Sequence, residues 1–249
     1  MLLELDLVSP YMQGVSFLAL LVALITCYIK AYQQPQLRRF WLLFATALTM
    51  NFAGNISWIF MYTATGDSLN VFTIIDIFYV TSYLLIANAL IIYPTPMSQP
   101  PGSRVAISMT ITALTIGVIY FLHILDGSIR GTFISLLMYC IYPVLDVGLI
   151  ALAWLRYSDT RGTPWAKISL MLVLAMTSYG LADSIELVGY LLSPILDGFL
   201  QNIFWMLRHL LILSMTLTVK NASDVIDVTQ LIKNRRINYI EYFFNYLTK

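Results

Sequence analysis

Apolar residues fill seven long stretches of this chain, at 11–32, 40–62, 71–93, 105–125, 132–156, 165–191 and 199–219. Short segments holding Pro, Gly and most of the charge separate them. Each stretch supplies the roughly 20 residues that an α-helix needs to cross a hydrocarbon core about 30 Å thick. Lipid offers no partner to a backbone N–H or C=O, so such segments close their hydrogen bonds internally as helices. The pattern predicts an all-α, polytopic membrane protein. A seven-transmembrane-helix bundle takes residues 1–219, and a tail takes 220–249.

The polar positions inside these spans are not scattered. Residues at i, i+3, i+4 and i+7 share one face of a helix, and five spans place their polar and aromatic residues on that spacing. Span two carries Asn51, Asn55, Trp58 and Tyr62, and span three carries Asp76, Tyr79 and Tyr83. Span five carries Ser135, Tyr139, Tyr142 and Asp146, and span six carries Tyr179, Asp183, Glu186 and Tyr190. Span seven carries Gln201, Asn202, Trp205, Arg208 and His209. Lipid satisfies none of these groups, so the stripes are expected to face one another.

Composition agrees with the pattern. Hydrophobic residues make up 59% and charged residues 11% of the 249 positions, against about 45–50% and 25% in soluble domains. Charge sets the orientation. If the seven spans alternate, all 14 Lys and Arg fall on one side except Arg130, on the other, and Arg208, inside a span. Basic loops stay in the cytoplasm, which puts the N-terminus outside and the C-terminus inside. Residues 1–13 carry Glu4 and Asp6 and no basic residue, so they lack the n-region of a cleavable signal peptide and the first span is expected to remain. The net charge of +1 gives no reason to expect nucleic acid as a partner. Cys27 lies toward the inner end of span one and Cys140 in the outer half of span five, so both are expected to be free thiols. In the tail, Lys233, Arg235 and Arg236 mix with Ile237, Tyr239, Ile240, Tyr242, Phe243, Phe244 and Tyr246. That suits an interfacial helix on anionic lipid as well as a loosely ordered tail with a partner-binding end. The expected location is a cell membrane, in multi-pass form, with the inner membrane of a prokaryote as the setting.

The buried charges need an explanation. A carboxylate at bilayer depth costs roughly 2.5–3.5 kcal/mol on insertion scales, so each requires a partner, water or a proton. At about 1.5 Å per residue, Asp76 and Glu186 lie roughly 8 Å from the outer ends of their helices, Asp183 roughly 12 Å, Arg208 roughly 15 Å and Asp146 roughly 21 Å. Four carboxylates against one arginine leave a formal excess of negative charge that close packing does not tolerate. Some hold protons, or the interior holds water and a cation. The stripes thus predict an outward-opening cavity whose ligand-binding residues are Asn51, Asn55, Trp58, Asp76, Tyr79, Tyr83, Tyr139, Tyr142, Asp146, Tyr179, Asp183, Glu186, Trp205 and Arg208. Aromatic walls with acidic groups suit an organic cation, and they suit a neutral hydrogen-bonding ligand equally. The plainer alternative has the same groups only joining helices, with a carboxylate paired to Arg208.

Several chemistries do not fit. A retinal Schiff base needs a lysine in the last span, and Lys220 lies beyond it. Membrane zinc hydrolases need several histidines, and only His123 and His209 are present, without metal-ligand spacing. Neither a phosphate loop nor a nucleophile elbow occurs. Asp183 and Glu186 could serve as an acid and base, but no positioned nucleophile accompanies them. His123 reads as interfacial, and His209 as a group that orients Arg208. The chain is expected to be neither an enzyme nor a holder of metal or cofactor.

From span two onward the order of residues resembles the seven-helix membrane sensor modules found ahead of bacterial diguanylate cyclases and histidine kinases. The residues that carry the resemblance are Trp58; Asp76, Tyr79 and Tyr83 as Asp-x-x-Tyr-x-x-x-Tyr; Asp146 and Trp154; Ala182, Asp183 and Tyr190; and Asp197 followed by Trp205. This chain departs from the pattern by ending soon after span seven with no cyclase or kinase output domain. The resemblance therefore implies that a signal passes to a separate partner. The expected function is receptor- or sensor-like: a small molecule binds in the outer cavity and a cytoplasmic or membrane protein partner reads the result. A proton- or cation-coupled transporter that uses the intramembrane acids, and a non-catalytic subunit of a membrane complex whose stripes hold a lipid, quinone, pigment or another chain, remain open beside it.

Overall fold

The computed structural model describes residues 2–65, 74–92, 102–125, 133–161, 165–188 and 194–219, with side chains described for 11–61, 75–92, 105, 107–118, 141–161, 165–185 and 198–219. These residues form seven α-helices: α1 Leu2–Gln33, α2 Arg38–Thr65, α3 Ile74–Ile92, α4 Gly102–Leu125, α5 Phe133–Thr160, α6 Ala166–Val188 and α7 Pro194–Thr218. A 3-10 turn, Pro35–Leu37, joins the first two. Among the described residues there is no strand.

Local chemistry explains the boundaries. Pro35 disfavours helical geometry at the residue before it, and Gln34 is extended, with φ −124° and ψ 77°. The Gln34 N–H still donates to the Lys30 carbonyl at 2.9 Å and closes the last turn of α1. The Leu37 N–H then donates back to the Gln34 carbonyl at 3.0 Å, and α2 begins. Pro194 opens α7, where its fixed φ suits a first helical position and its missing N–H costs no bond. Inside α5, Pro143 leaves the Tyr139 carbonyl without its usual donor, one turn before Asp146. The helices outrun the apolar runs in places. α1 reaches back to Leu2, and α5 continues one turn past Arg156 to Thr160.

Among the described residues five segments are long and apolar enough to cross a membrane: Tyr11–Gln33, Pro35–Met61, Ile75–Ile92, Ile141–Thr160 and Ala166–Ile185. Their outward faces carry large apolar side chains, among them Leu18, Ile25, Phe60, Leu84 and Leu174. A soluble protein rarely exposes such a belt. Lipid is the solvent that accepts it, so the architecture is that of a multi-pass membrane protein. Between the helices lies a continuous apolar core that includes Leu20, Phe40, Trp41, Phe44, Leu48, Ile86, Leu90, Leu172, Met176 and Ile212.

Six helices close a ring in the order α1, α2, α3, α5, α6, α7 and back to α1, and α4 packs on α5 outside it. Glycine permits two of the close crossings that bring polar faces together. A methyl group on Gly54 of α2 would come within 2.9 Å of the Tyr79 ring on α3, and one on Gly180 of α6 within 3.1 Å of Asp146 Cβ on α5. At the periphery, α4 turns Ile107, Ile111, Leu114 and Val118 outward, one apolar stripe at helical spacing.

One end of the bundle is tied by polar bonds at helix termini. The buried Arg156 on α5 donates through Nε and Nη2 to the carbonyls of Leu90 and Ile91, which α3 leaves without intrahelical donors. Lys30 on α1 donates to the Val219 carbonyl just past α7. Both bonds place positive charge at a helix C-terminus, where the macrodipole favours it. At the same end the Trp41 indole donates to Gln34 Oε1 at 2.9 Å, and Thr160 donates to Ser169 Oγ at 2.8 Å. Lys30 and Arg156 are two of the basic residues that the charge pattern leads one to expect on the cytoplasmic side.

Candidate functional site

About 15 Å along α5 from Arg156, at 1.5 Å per residue, the polar stripes of α3, α5, α6 and α7 converge. The Tyr83 hydroxyl of α3 lies 2.7 Å from Asp146 Oδ1 on α5 and 2.8 Å from Asp183 Oδ2 on α6. One hydroxyl has one hydrogen. Both short contacts are full hydrogen bonds only when a carboxyl brings a second hydrogen to the trio. Nearer the start of α3, the Tyr142 hydroxyl of α5 donates to Asp76 Oδ1 at 2.5 Å. The Tyr83 and Tyr142 rings lie 6.0 Å apart and link the two carboxylate centres.

Arg208 of α7 completes the group in an unusual way. Its Cζ lies 3.5 Å above the centre of the Tyr179 ring, which stacks on Tyr83 at 5.1 Å. The guanidinium is thus bound to the aromatic wall through a cation–π contact, and in a dry setting such a contact is worth about 2 kcal/mol. It is only 1% exposed, and its Nε and Nη2 have no hydrogen-bond partner. Among the described residues no carboxylate comes within 4.0 Å of it. Its charge still bears on both Asp146 and Asp183. Asp146 is 2% exposed, and its Oδ2 also lacks a partner. Trp205, one turn before Arg208, holds its indole beside Asp183 without a hydrogen bond of ordinary geometry.

The plainer reading of the sequence requires Arg208 to pair with a carboxylate, and among the described residues none lies within 4.0 Å of it. A desolvated charge without its hydrogen bonds costs several kcal/mol, so two guanidinium donors and one carboxylate acceptor remain here for water or a bound molecule.

Other predicted site residues fall into separate positions. Tyr79 donates to Asn55 Oδ1 at 2.7 Å, and Asn55 reaches Asn51 Oδ1 at 3.5 Å, so α2 and α3 form their own polar contact beside the main cluster. Trp58, expected to line the interior, is 46% exposed two turns further along α2 from the buried Asn51, and the stripe leaves the core there. The side chains of Tyr139 and Glu186, the Cys140 thiol, the His123 ring and the 220–249 tail lie outside the described residues. Cys27 is a buried free thiol.

His209 differs from expectation. Its Nδ1 lies 2.8 Å from Ser16 Oγ on α1, so it ties α7 to α1 and does not orient Arg208. Consecutive helical residues point about 100° apart, and a residue beside Arg208 necessarily serves another face. Sequence reasoning missed Ser16, although it is one of the few polar residues in the apolar run of α1, with Gln13, Thr26 and Lys30. Among the described residues no group of three or more His, Cys, Asp or Glu is placed to hold a metal.

No protein family, curated protein or solved structure matches the chain.

Proposed function

We propose that this protein is a seven-span membrane receptor, N-terminus outside and C-terminus in the cytoplasm, that binds a small molecule among α3, α5, α6 and α7 and passes the change to a partner protein. One observation carries the reading. Arg208 is buried over the Tyr179 ring with no described carboxylate within 4.0 Å, and its Nε and Nη2 have no hydrogen-bond partner. Binding works on a balance between two helix packings, and a ligand shifts it only through a difference in affinity for the two. The tied end at Arg156 and Lys30 supports rearrangement at the opposite, ligand-entry end, with α5 and α7 as the levers. The likeness to sensor modules fits the same reading, in a non-catalytic role.

The test uses Asn202→Cys, more than a turn from Arg208 on α7, in a background of Cys27→Ala and Cys140→Ala. A membrane-impermeant thiol reagent is added to right-side-out and inverted vesicles. Labelling from the outer face alone is expected. Protection from both faces overturns the outward-opening site.

The chain of Asp76, Tyr142, Tyr83, Asp146 and Asp183 supports a second reading, a proton- or cation-coupled carrier, because acids at this depth mark ion pathways. Acid-driven flux into proteoliposomes that Asp183→Asn abolishes establishes the carrier and removes the receptor.

A further inference from the structure

Resting on the binding-site reading above, we infer that the ligand is a small zwitterion, a molecule with a carboxylate or similar anion at one end and a protonated amine at the other. The first argument is charge balance. With one additional hydrogen, the trio of Tyr83, Asp146 and Asp183 keeps a single negative charge. Arg208 supplies a single positive charge, and Asp76 is engaged with Tyr142 apart from them. The trio and Arg208 taken together are therefore close to neutral, and a lone cation or a lone anion beside them would unbalance them in a medium that screens charge poorly.

The second argument is polarity. The two charges stay apart, with no carboxylate among the described residues within 4.0 Å of the guanidinium, and each keeps unused hydrogen-bonding capacity. Nε and Nη2 of Arg208 are adjacent donors on one planar fork, the geometry that takes two oxygens of a carboxylate. Asp146 Oδ2 is an acceptor for an ammonium hydrogen. A ligand whose dipole runs opposite to this one satisfies three buried orphan atoms together and leaves the charge balance unchanged.

The experiment measures thermal unfolding of the full chain in lipid nanodiscs against the protein amino acids, glycine betaine and 4-aminobutyrate. Each hit is compared with its methyl ester and its N-acetyl derivative. At least one zwitterion is expected to raise the unfolding temperature in a saturable way. Both blocked analogues are expected to bind at least about ten-fold more weakly, because a site that pairs with a polar group rejects the analogue lacking it. Arg208→Gln should abolish the response to the parent compound. The analogue comparison on the unchanged protein holds even if that variant fails to fold. Silence across every zwitterion, or an ester or acetyl derivative that binds as tightly as its parent, overturns the zwitterion assignment. Neither result bears on the outward-opening site, whose own test is the accessibility of position 202.

Discussion

The Arg208 guanidinium lies over the Tyr179 ring, its Cζ 3.5 Å from the ring centre, buried in the bundle and more than 4.0 Å from every described carboxylate. That arrangement needs a planar, delocalised cation. Arg208→Lys keeps the charge but loses the stacking surface and the paired donors. The variant is expected to fold with reduced stability, by about 1–2 kcal/mol from the lost cation–π contact, and to lose ligand response as fully as Arg208→Gln. Unfolding and ligand titrations in nanodiscs check both parts.

Tyr83 touches the α5 and α6 carboxylates together. Tyr83→Phe removes its hydroxyl and leaves two buried carboxyls without that partner, a loss of about 1–3 kcal/mol. Asp183→Asn keeps a carbonyl oxygen for the same hydroxyl and should cost less. Reversible unfolding in mixed micelles ranks the two variants, and equal losses contradict this geometry.

Gly180 lets α6 approach α5 at Asp146. Gly180→Leu forces a side chain where even Cβ would sit 3.1 Å from Asp146 Cβ. Overpacking of this kind costs about 1–3 kcal/mol. The displaced Asp146 should also weaken zwitterion binding, whereas Gly117→Leu on α4, with open space around its Cβ, should change neither stability nor binding.

Much of the cluster is legible in the sequence. Helical spacing groups Asp76 with Tyr83 and Tyr142 with Asp146, and these are the pairs of faces that meet. Periodicity identifies a face but not the atom it meets, so it does not show that Arg208 rests on Tyr179 or that His209 turns to Ser16. The apolar pattern ends span five at Arg156 and makes it a loop charge. The helix instead runs on to Thr160, and the guanidinium folds back onto the α3 carbonyls, because a C-terminus buried between helices offers a charged donor more than water does at that depth. Trp58 shows the opposite limit, since correct spacing places it on the stripe of Asn51 at a height where that stripe is exposed.

Arg156 supplies a fourth prediction. Arg156→Met keeps most of the apolar stem but strips the Leu90 and Ile91 carbonyls of their charged donor. A hydrogen bond from a charged group is worth about 1.5–3 kcal/mol. The variant should unfold earlier by that amount and bind the ligand with little change, because the tie lies about 15 Å from Asp146 along α5.

Orientation gives a fifth. An alkaline phosphatase fused after Gly127 should be active and one fused after Thr163 inactive, because the enzyme matures only outside the cytoplasm. The reverse pattern contradicts the charge-based topology.

The most direct measurement is an experimental density map of the full chain in nanodiscs, resolved well enough to place small molecules. The account predicts density from a non-protein molecule within hydrogen-bond distance of Arg208 Nε and Nη2 and of Asp146 Oδ2. A map in which Arg208 has left Tyr179 to pair with Asp146 or Asp183, with nothing bound between them, contradicts it.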